Sequence, residues 1–193
     1  MPEDATQPRE NLRVRRTRTL LRRALVELIE EQSFERLTVG EIAERAMVSR
    51  AAFYRNYRDK YHVVEEIFDD AMAVMLAAVD APDARPVLEL WTSFFEHIAR
   101  YDRLYAALLS RSGSQWFTVR MRASLGDMVA EHLDSPATAD GLVPTLVGAM
   151  FVQAITWWLE NDQPVSAEQM ATRTGHLAGS LIAAASRWPP GSR

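Results

Sequence analysis

The chain has 193 residues, 48% of them hydrophobic, and can therefore bury the core of one large domain or two small ones. It contains no cysteine, which excludes disulfide frameworks and thiolate metal sites. Its formal charge of −4 is divided unevenly, because residues 1–60 hold 13 Lys+Arg against 10 Asp+Glu and residues 61–193 hold 9 against 16. This imbalance predicts that only the first part of the chain meets a polyanion, and a chance fluctuation is the alternative.

The first residues, MPEDATQPRE, are polar and acidic and lack the apolar segment of a signal peptide. The longest apolar run, LVGAMFVQAITWWL, is shorter than the roughly 20 residues that a membrane span needs. We therefore expect a soluble cytoplasmic protein without a membrane partner.

The apolar residues of the first part recur with the period of an α-helix. This spacing predicts three helices near residues 17–31, 39–46 and 50–57. Only residues 47–49 join the second helix to the third, which is the spacing of a helix-turn-helix.

Polar residues mark where these helices begin. Thr38 and Glu41 form the Ser/Thr-x-x-Glu pattern of a capping box at the start of the second helix. Ser49 and Asp59 are each placed to accept a hydrogen bond from the first turn of the helix that follows.

The third helix carries two different faces. Phe53 and Tyr57 are four residues apart, so they project to the same side and are expected in the core. The residues on the other face are small, cationic or hydroxylated: Arg50, Ala51, Tyr54 and Arg55. Arginine can bind guanine through two hydrogen bonds, and an alanine methyl can contact a thymine methyl. A tyrosine hydroxyl can bind a phosphate, so this face is typical of a DNA recognition helix.

Lys60 is the single lysine of the chain, since the other 21 cationic residues are arginine. Its position in the first turn of the fourth predicted helix suits a flexible phosphate anchor. The alternative is that an arginine-rich sequence has kept one lysine by chance.

The stretch LTVGEIAERAMVSRAAFYRNYRDKYHVVEEIF resembles the DNA-binding domain of the TetR family of transcriptional regulators. The resemblance covers roughly residues 15–70. It implies an all-α fold, with a three-helix helix-turn-helix DNA-binding head and basic arm over residues 1–60. A larger helical domain for ligand binding and dimerisation would follow over residues 61–193.

The resemblance implies DNA contacts from the turn and the recognition helix and from the starts of the helices on either side: Thr38, Ser49, Arg50, Ala51, Tyr54, Arg55, Asn56 and Lys60. Thr38, Tyr54 and Lys60 would hold phosphates. Arg50, Ala51 and Arg55 would face the major groove of double-stranded DNA.

Two residues depart from the family pattern. Met47 replaces a glycine in the turn, where a positive φ would strain any other residue. Asn56 replaces a histidine and can still bond a phosphate or a base. Arg13, Arg15, Arg16 and Arg18 precede or open the first helix and would form either a DNA-contacting arm or a solvated tail.

The rest of the chain reads as further helices separated by turn signals, with no convincing strand: 60–80, 87–109 with a break near Tyr101 and Asp102, 115–132, 141–160 and 166–187. Aromatic, methionine and polar positions on these helices are candidates for the wall of a pocket for a small apolar or aromatic ligand. The candidates are Trp91, Phe94, Phe95, His97, Ile98, Tyr101, Tyr105, Met121, Leu125, Met128, Phe151 and Gln153. An ordinary core made of the same side chains is the alternative.

Gly175 and Gly179 lie four residues apart on the last predicted helix, close to Leu181. Glycine in a helix costs about 1 kcal/mol relative to alanine, so a pair on one face indicates that another helix approaches closely. The resemblance implies a homodimer formed by the last two helices of each subunit. We expect the two glycines in that interface or against the preceding helix.

No enzyme motif is present, and the histidines at 62, 97, 132 and 176 show no metal-binding spacing. We therefore expect neither catalysis nor a cofactor. The predicted function is a DNA-binding regulator of a pseudo-palindromic operator, a repressor that a small molecule releases. Two alternatives stay open: a constitutive or architectural DNA-binding protein, and a helical enzyme or binding protein with an interaction head.

Overall fold

The structure, a computed structural model, describes residues 7–79, 86–111, 113–132 and 141–187. In these ranges the chain forms nine α-helices and one short 3-10 helix and has no strand, which confirms the all-α fold. The helices are α1 (Gln7–Glu31), α2 (Val39–Arg45), α3 (Arg50–Asn56), α4 (Lys60–Val79), α5 (Val87–Arg100), α6 (Asp102–Leu109), α7 (Gln115–His132), α8 (Leu142–Glu160) and α9 (Ala167–Ala185).

The predicted and observed helix bounds differ mainly at α1, which begins ten residues before the predicted position 17. Its one helix-breaking residue, Pro8, lies in the first turn, where a missing N–H costs little. The predicted break near residue 101 is confirmed, because Tyr101 separates α5 from α6. The 3-10 helix at Phe34–Arg36 was not predicted.

The predicted helix caps are confirmed. The Thr38 side chain accepts from the Glu41 N–H while the Glu41 carboxylate accepts from the Thr38 N–H, which completes a capping box. The Ser49 hydroxyl accepts from the N–H of Ala52 at 3.1 Å. The Asp59 carboxylate accepts from the N–H of His62 at 2.8 Å.

The chain divides into two compact units, one ending at Val74 and the other beginning at Met75, so the division falls inside α4. The core of the first unit consists of apolar side chains from its four helices, all fully buried: Leu21, Leu25, Ile42, Phe53, Tyr57, Val63 and Phe68. This core fixes which face of α3 points outward.

The second unit is built around large rings. Six aromatic residues from α5, α6, α7 and α8 are fully buried there: Phe94, Phe95, Tyr105, Phe117, Phe151 and Trp158. Helices α7 and α8 approach closely at Gly148, where an added Cβ would collide with the carbonyl oxygen of Arg122 and lie 3.0 Å from the nitrogen of Gly126. The crossing therefore requires glycine.

By length and composition α8 could cross a membrane, and its 19 residues exceed the apolar run that we had expected to be too short. Nine of its residues are buried among the other helices of the second unit. A core helix of a folded domain passes the same test, so α8 is weak evidence for a membrane span.

Candidate nucleic-acid interface and ligand cavity

The turn between α2 and α3 has the geometry of a Schellman motif. The N–H of Val48 donates to the carbonyl of Ala43 at 2.9 Å, and the N–H of Met47 donates to that of Glu44 at 2.9 Å. Met47 has φ 53°, which is the left-handed conformation that this motif requires and that glycine normally supplies. The turn thus keeps its geometry with a strained residue in place of glycine. The Met47 side chain is 89% exposed, so no packing compensates for the strain.

Helix α3 presents the predicted outer face to solvent. Phe53 is completely buried, and its ring contacts that of Tyr57 at a centroid distance of 5.9 Å. The residues predicted to face DNA lie on the opposite, exposed side: Arg50, Ala51, Tyr54 and Arg55. Tyr54 is 60% exposed, although its ring edge still contacts Phe53 at 5.6 Å. Two guanidinium groups, a methyl group and a phenol therefore share one accessible surface.

Gly40, in the first turn of α2, leaves room for the side chain of Arg50. A Cβ added to Gly40 would lie 2.6 Å from a terminal nitrogen of the Arg50 guanidinium. The guanidinium consequently lies against the first turn of α2 at Gly40.

Two polar residues of the predicted interface make hydrogen bonds within the head. The Thr38 hydroxyl donates to the Glu41 carboxylate at 2.7 Å, and this bond contributes most to lowering the pKa of that carboxyl. The Asn56 amide nitrogen donates to the carbonyl of Ala52 at 2.7 Å. Its amide oxygen is buried, and within the described residues it has no hydrogen-bond partner.

Lys60 points into the protein and is 9% exposed. Its ammonium donates to the carbonyl oxygens of Phe34, Glu35 and Leu37 at 2.7, 2.9 and 2.9 Å. Because an ammonium has three hydrogens, these carbonyls use its full capacity. Burial lowers the pKa of Lys60, which the charges of Glu35 and Glu41 partly oppose. The side chain thus ties the start of α4 to the segment before α2, and a phosphate would have to compete with three carbonyls.

The arginines near the N-terminus lie inside α1, so the predicted arm is helical from Gln7 onward. Arg13, Arg15 and Arg16 are exposed. The next two turns of α1 instead pair with α4 within the first unit: Arg18 lies 2.6 Å from Glu66, and Arg22 lies 3.0 Å from Glu66 and 2.7 Å from Asp70.

The second unit contains a cavity of about 520 Å³. Three of the predicted ligand-binding residues line it: Trp91, Met128 and Phe151. Six others are buried in the ring-rich core: Phe94, Phe95, Ile98, Tyr105, Met121 and Leu125. His97 is 3.0 Å from the Tyr105 hydroxyl and its ring contacts Tyr101, while Gln153 is exposed on α8.

Helix α9 supplies much of the cavity wall. The pattern of aromatic residues in the sequence had predicted no pocket residue on this helix. Gly175 and Gly179 both line the cavity, and no atom lies within 4 Å of a Cβ added to either. The preceding helix therefore does not approach them, contrary to one of the two expectations for this pair. The glycine spacing predicted a close approach by another helix, and the other expectation for this pair, a place in a dimer interface, stays a prediction.

Residues 21–67 match the family described as bacterial regulatory proteins, tetR family. Over 50 residues, 26% of the chain, the sequence is 36% identical to the HTH-type transcriptional regulator YxbF of Bacillus subtilis (strain 168). That match spans only 13% of the relative's own length.

Solved structures extend the likeness of fold to most of the chain. A TetR transcriptional regulator from Streptococcus agalactiae 2603V has a TM-score of 0.61 at 18% identity, covering 90% of this chain and 99% of that one. The dihydroxyacetone kinase operon activator DhaS has a TM-score of 0.62 at 12% identity, with coverages of 87% and 97%. The fatty acid degradation regulator FadR from Bacillus halodurans has a TM-score of 0.55 at 14% identity, with coverages of 84% and 94%.

Proposed function

We propose that the chain is a ligand-responsive repressor of transcription of the TetR family that binds a pseudo-palindromic operator. Regulators of this family are soluble cytoplasmic proteins that bind DNA operators as dimers and are generally not enzymes.

The observation that carries DNA binding is the outer face of α3. A guanidinium at the first position of a recognition helix can reach base edges in the major groove, where it hydrogen-bonds guanine. Arg50 occupies that position, and the exposed Tyr54 lies one turn later, where its hydroxyl can fix the register on a phosphate. Arg55 adds a second cation to the same surface.

A homodimer through the last two helices is supported by the apolar surface that the single chain exposes there. Four large apolar side chains of α8 and α9 are between 42% and 59% exposed: Leu142, Leu146, Trp157 and Leu177. Leu181, also predicted in this interface, is half-buried. A two-fold dimer presents two α3 helices, and this symmetry requires an operator with two related half-sites.

Release of the operator by a ligand requires that the ligand bind the DNA-incompetent state more tightly than the competent one. The cavity in the second unit supports the existence of a ligand. We propose repression because regulators of this family are most often repressors. The name of DhaS shows that a similar fold also occurs in an activator.

The test is selection of genomic fragments from the source organism by the purified protein at about 0.15 M salt, followed by sequencing. At this salt concentration phosphate contacts alone give weak binding without sequence preference. We expect enrichment of a short pseudo-palindrome. Retention of fragments without a shared motif would exclude the sequence-specific regulator.

Two variants then separate base contacts from phosphate contacts on the selected fragment. Arg50→Ala should relax the preference at one position of each half-site and cost about 1–3 kcal/mol per contact. Tyr54→Phe should weaken binding to all sequences alike, because it removes a contact to the backbone. Equal, sequence-independent losses in both variants would argue against base recognition by Arg50.

A further inference from the structure

The cavity in the second unit is bounded by α5, α7, α8 and α9, together with Met75 near the end of α4. Its volume of about 520 Å³ lies within the range of small-molecule sites, about 300–1,000 Å³. Its chemistry can be read from the side chains that line it.

No Asp, Glu, Lys or Arg is among the described residues that line the cavity. Aliphatic, methionine and aromatic side chains form most of the wall, and Trp91 and Phe151 contribute a stacked pair with ring centroids 4.0 Å apart. A charged ligand would find no carboxylate, ammonium or guanidinium counter-charge there, and burying an unpaired charge is unfavourable. The wall therefore selects against ions.

Polar side chains line the cavity at one place, on α9. Thr172 and His176 lie four residues apart and so share one face of the helix. The Thr172 hydroxyl donates to the carbonyl of Glu168 at 2.9 Å, which leaves its oxygen able to accept. The exposed His176 ring can donate or accept a hydrogen bond. This end of the cavity can satisfy one neutral polar group.

The two cavity glycines follow on the same helix. A Cβ added at Gly175 would meet no atom within 4 Å outside the neighbouring backbone of its own helix. Glycine thus preserves volume at this wall, even though a larger residue would be more favourable for the helix itself.

We propose that this cavity binds an uncharged, mainly apolar small molecule whose single hydrogen-bonding group lies against Thr172 and His176. The proposal rests on the proposed function, since this molecule would be the ligand that regulates operator binding. It differs from the pocket predicted around His97, because the ligand is held by α9 and not by the ring-rich core.

The test compares two fluorescent probes with the same ring skeleton at pH 8. N-phenyl-1-naphthylamine is uncharged, and 1-anilinonaphthalene-8-sulfonate carries in addition a sulfonate. We expect one molecule of the uncharged probe to bind per subunit, at least about tenfold more tightly than the anionic probe. Equal affinity for both probes, or no binding of the uncharged probe, would overturn the proposal.

The variant Gly175→Leu tests whether the probe binds in this cavity. The added side chain fills part of the cavity while improving helix propensity, so the variant should fold at least as well as the wild type. We expect it to weaken the uncharged probe at least about tenfold. Ala183→Leu is the matched control, because it adds the same side chain at an exposed position of α9 outside the cavity lining. Equal probe affinity in Gly175→Leu and the wild type would place the probe elsewhere and overturn the proposal.

The same preparations are tested for retention of the selected operator. Intact operator binding by the wild type, together with no probe binding by the wild type, would overturn the ligand inference and leave the regulator proposal unaffected. Probe binding without selection of any DNA sequence would overturn the regulator proposal and leave the small-molecule site unaffected.

Discussion

In the first unit of the chain, hydrogen bonds from side chains to backbone groups hold the helices in place. In the second unit, buried aromatic side chains and close helix crossings do so. In the first unit, three helix caps and the three hydrogen bonds of Lys60 hold short helices in one arrangement. In the second, buried rings and the crossing at Gly148 determine the packing, and a cavity is left between the helices. Directional bonds hold the exposed face of α3 in one orientation, which the proposed DNA contacts require, while the apolar walls of the second unit leave an open cavity.

The largest expected effect is a loss of stability on removing the hydrogen bonds of Lys60. Lys60→Met removes the donor of three carbonyls, and we expect the first unit to lose about 3 kcal/mol of its free energy of unfolding. Amide hydrogen exchange should then accelerate about a hundredfold in peptides from α1, α2 and α3. Tryptophan fluorescence should report no change in the second unit, because all five tryptophans lie at or beyond residue 91.

Arg58→Met is the matched control for Lys60→Met. Its guanidinium is 75% exposed and lies 3.4 Å from Glu65, a surface pair of the kind that contributes less than about 1 kcal/mol. If the two variants exchange equally fast, the three carbonyl bonds do not stabilise the head.

The next effect tests the helix crossing of the second unit. Gly148→Ala places a methyl group against the carbonyl of Arg122, and we expect a loss of about 1–2 kcal/mol despite the better helix propensity of alanine. Gly175→Ala makes the same change in open space and should stabilise the unit by up to about 1 kcal/mol. Urea unfolding followed by tryptophan fluorescence measures both. Shifts of the same sign would contradict the assigned difference between the two glycines.

This pair of glycines shows where the sequence stops being informative. Gly148 and Gly175 both lie inside predicted apolar helices, but the spacing of Gly175 and Gly179 did not tell a dimer interface, which stays a prediction, from packing against the preceding helix, which is wrong. Whether a glycine faces a backbone or empty space depends on the relative placement of whole helices. No local pattern contains that information.

Features that depend only on neighbouring residues were predictable from the sequence. The helix periods, the three caps and the break at Tyr101 each depend on a few neighbouring residues. The partners of Lys60 lie 23 to 26 residues away, so its position in sequence suggested a free phosphate anchor. The cavity is empty space left by the packing of several helices, and the periodicity of a sequence gives no information about such space.

A smaller effect tests the strained turn of the head. Met47→Gly relieves a left-handed conformation that costs an ordinary residue about 1–2 kcal/mol, against a loss of about 0.5–1 kcal/mol from the freer unfolded chain. We expect a net gain of about 0.5–1 kcal/mol, visible as slower hydrogen exchange in α2 and α3. Met47→Ala keeps the strain and should give no gain. A stabilising alanine would mean that the exposed methionine side chain, and not the backbone, is unfavourable.

The smallest effect concerns acid stability of the ion pairs between α1 and α4. Burial raises the pKa of Glu66, but hydrogen bonds from Tyr57 and Arg22 and the charges of Arg22 and Arg18 outweigh it, so the pKa is lowered overall. A carboxyl whose pKa is lower in the folded state stabilises the protein above its unfolded pKa of about 4.3, and this contribution disappears as the pH falls through the folded value.

Glu66→Gln should therefore lower the stability of the head at pH 7 by less than about 1 kcal/mol, and the difference from the wild type should begin to shrink as the pH falls through about 4.3. Glu65→Gln is the control, because its partner Arg58 is largely exposed and 3.4 Å away, and its effect at pH 7 should be smaller. Hydrogen exchange of α1 peptides between pH 4 and 7, corrected for the intrinsic rate, measures the difference. A gap between Glu66→Gln and the wild type that widened toward low pH would reverse the sign and show that burial, not the pairing with Arg22, controls this carboxyl.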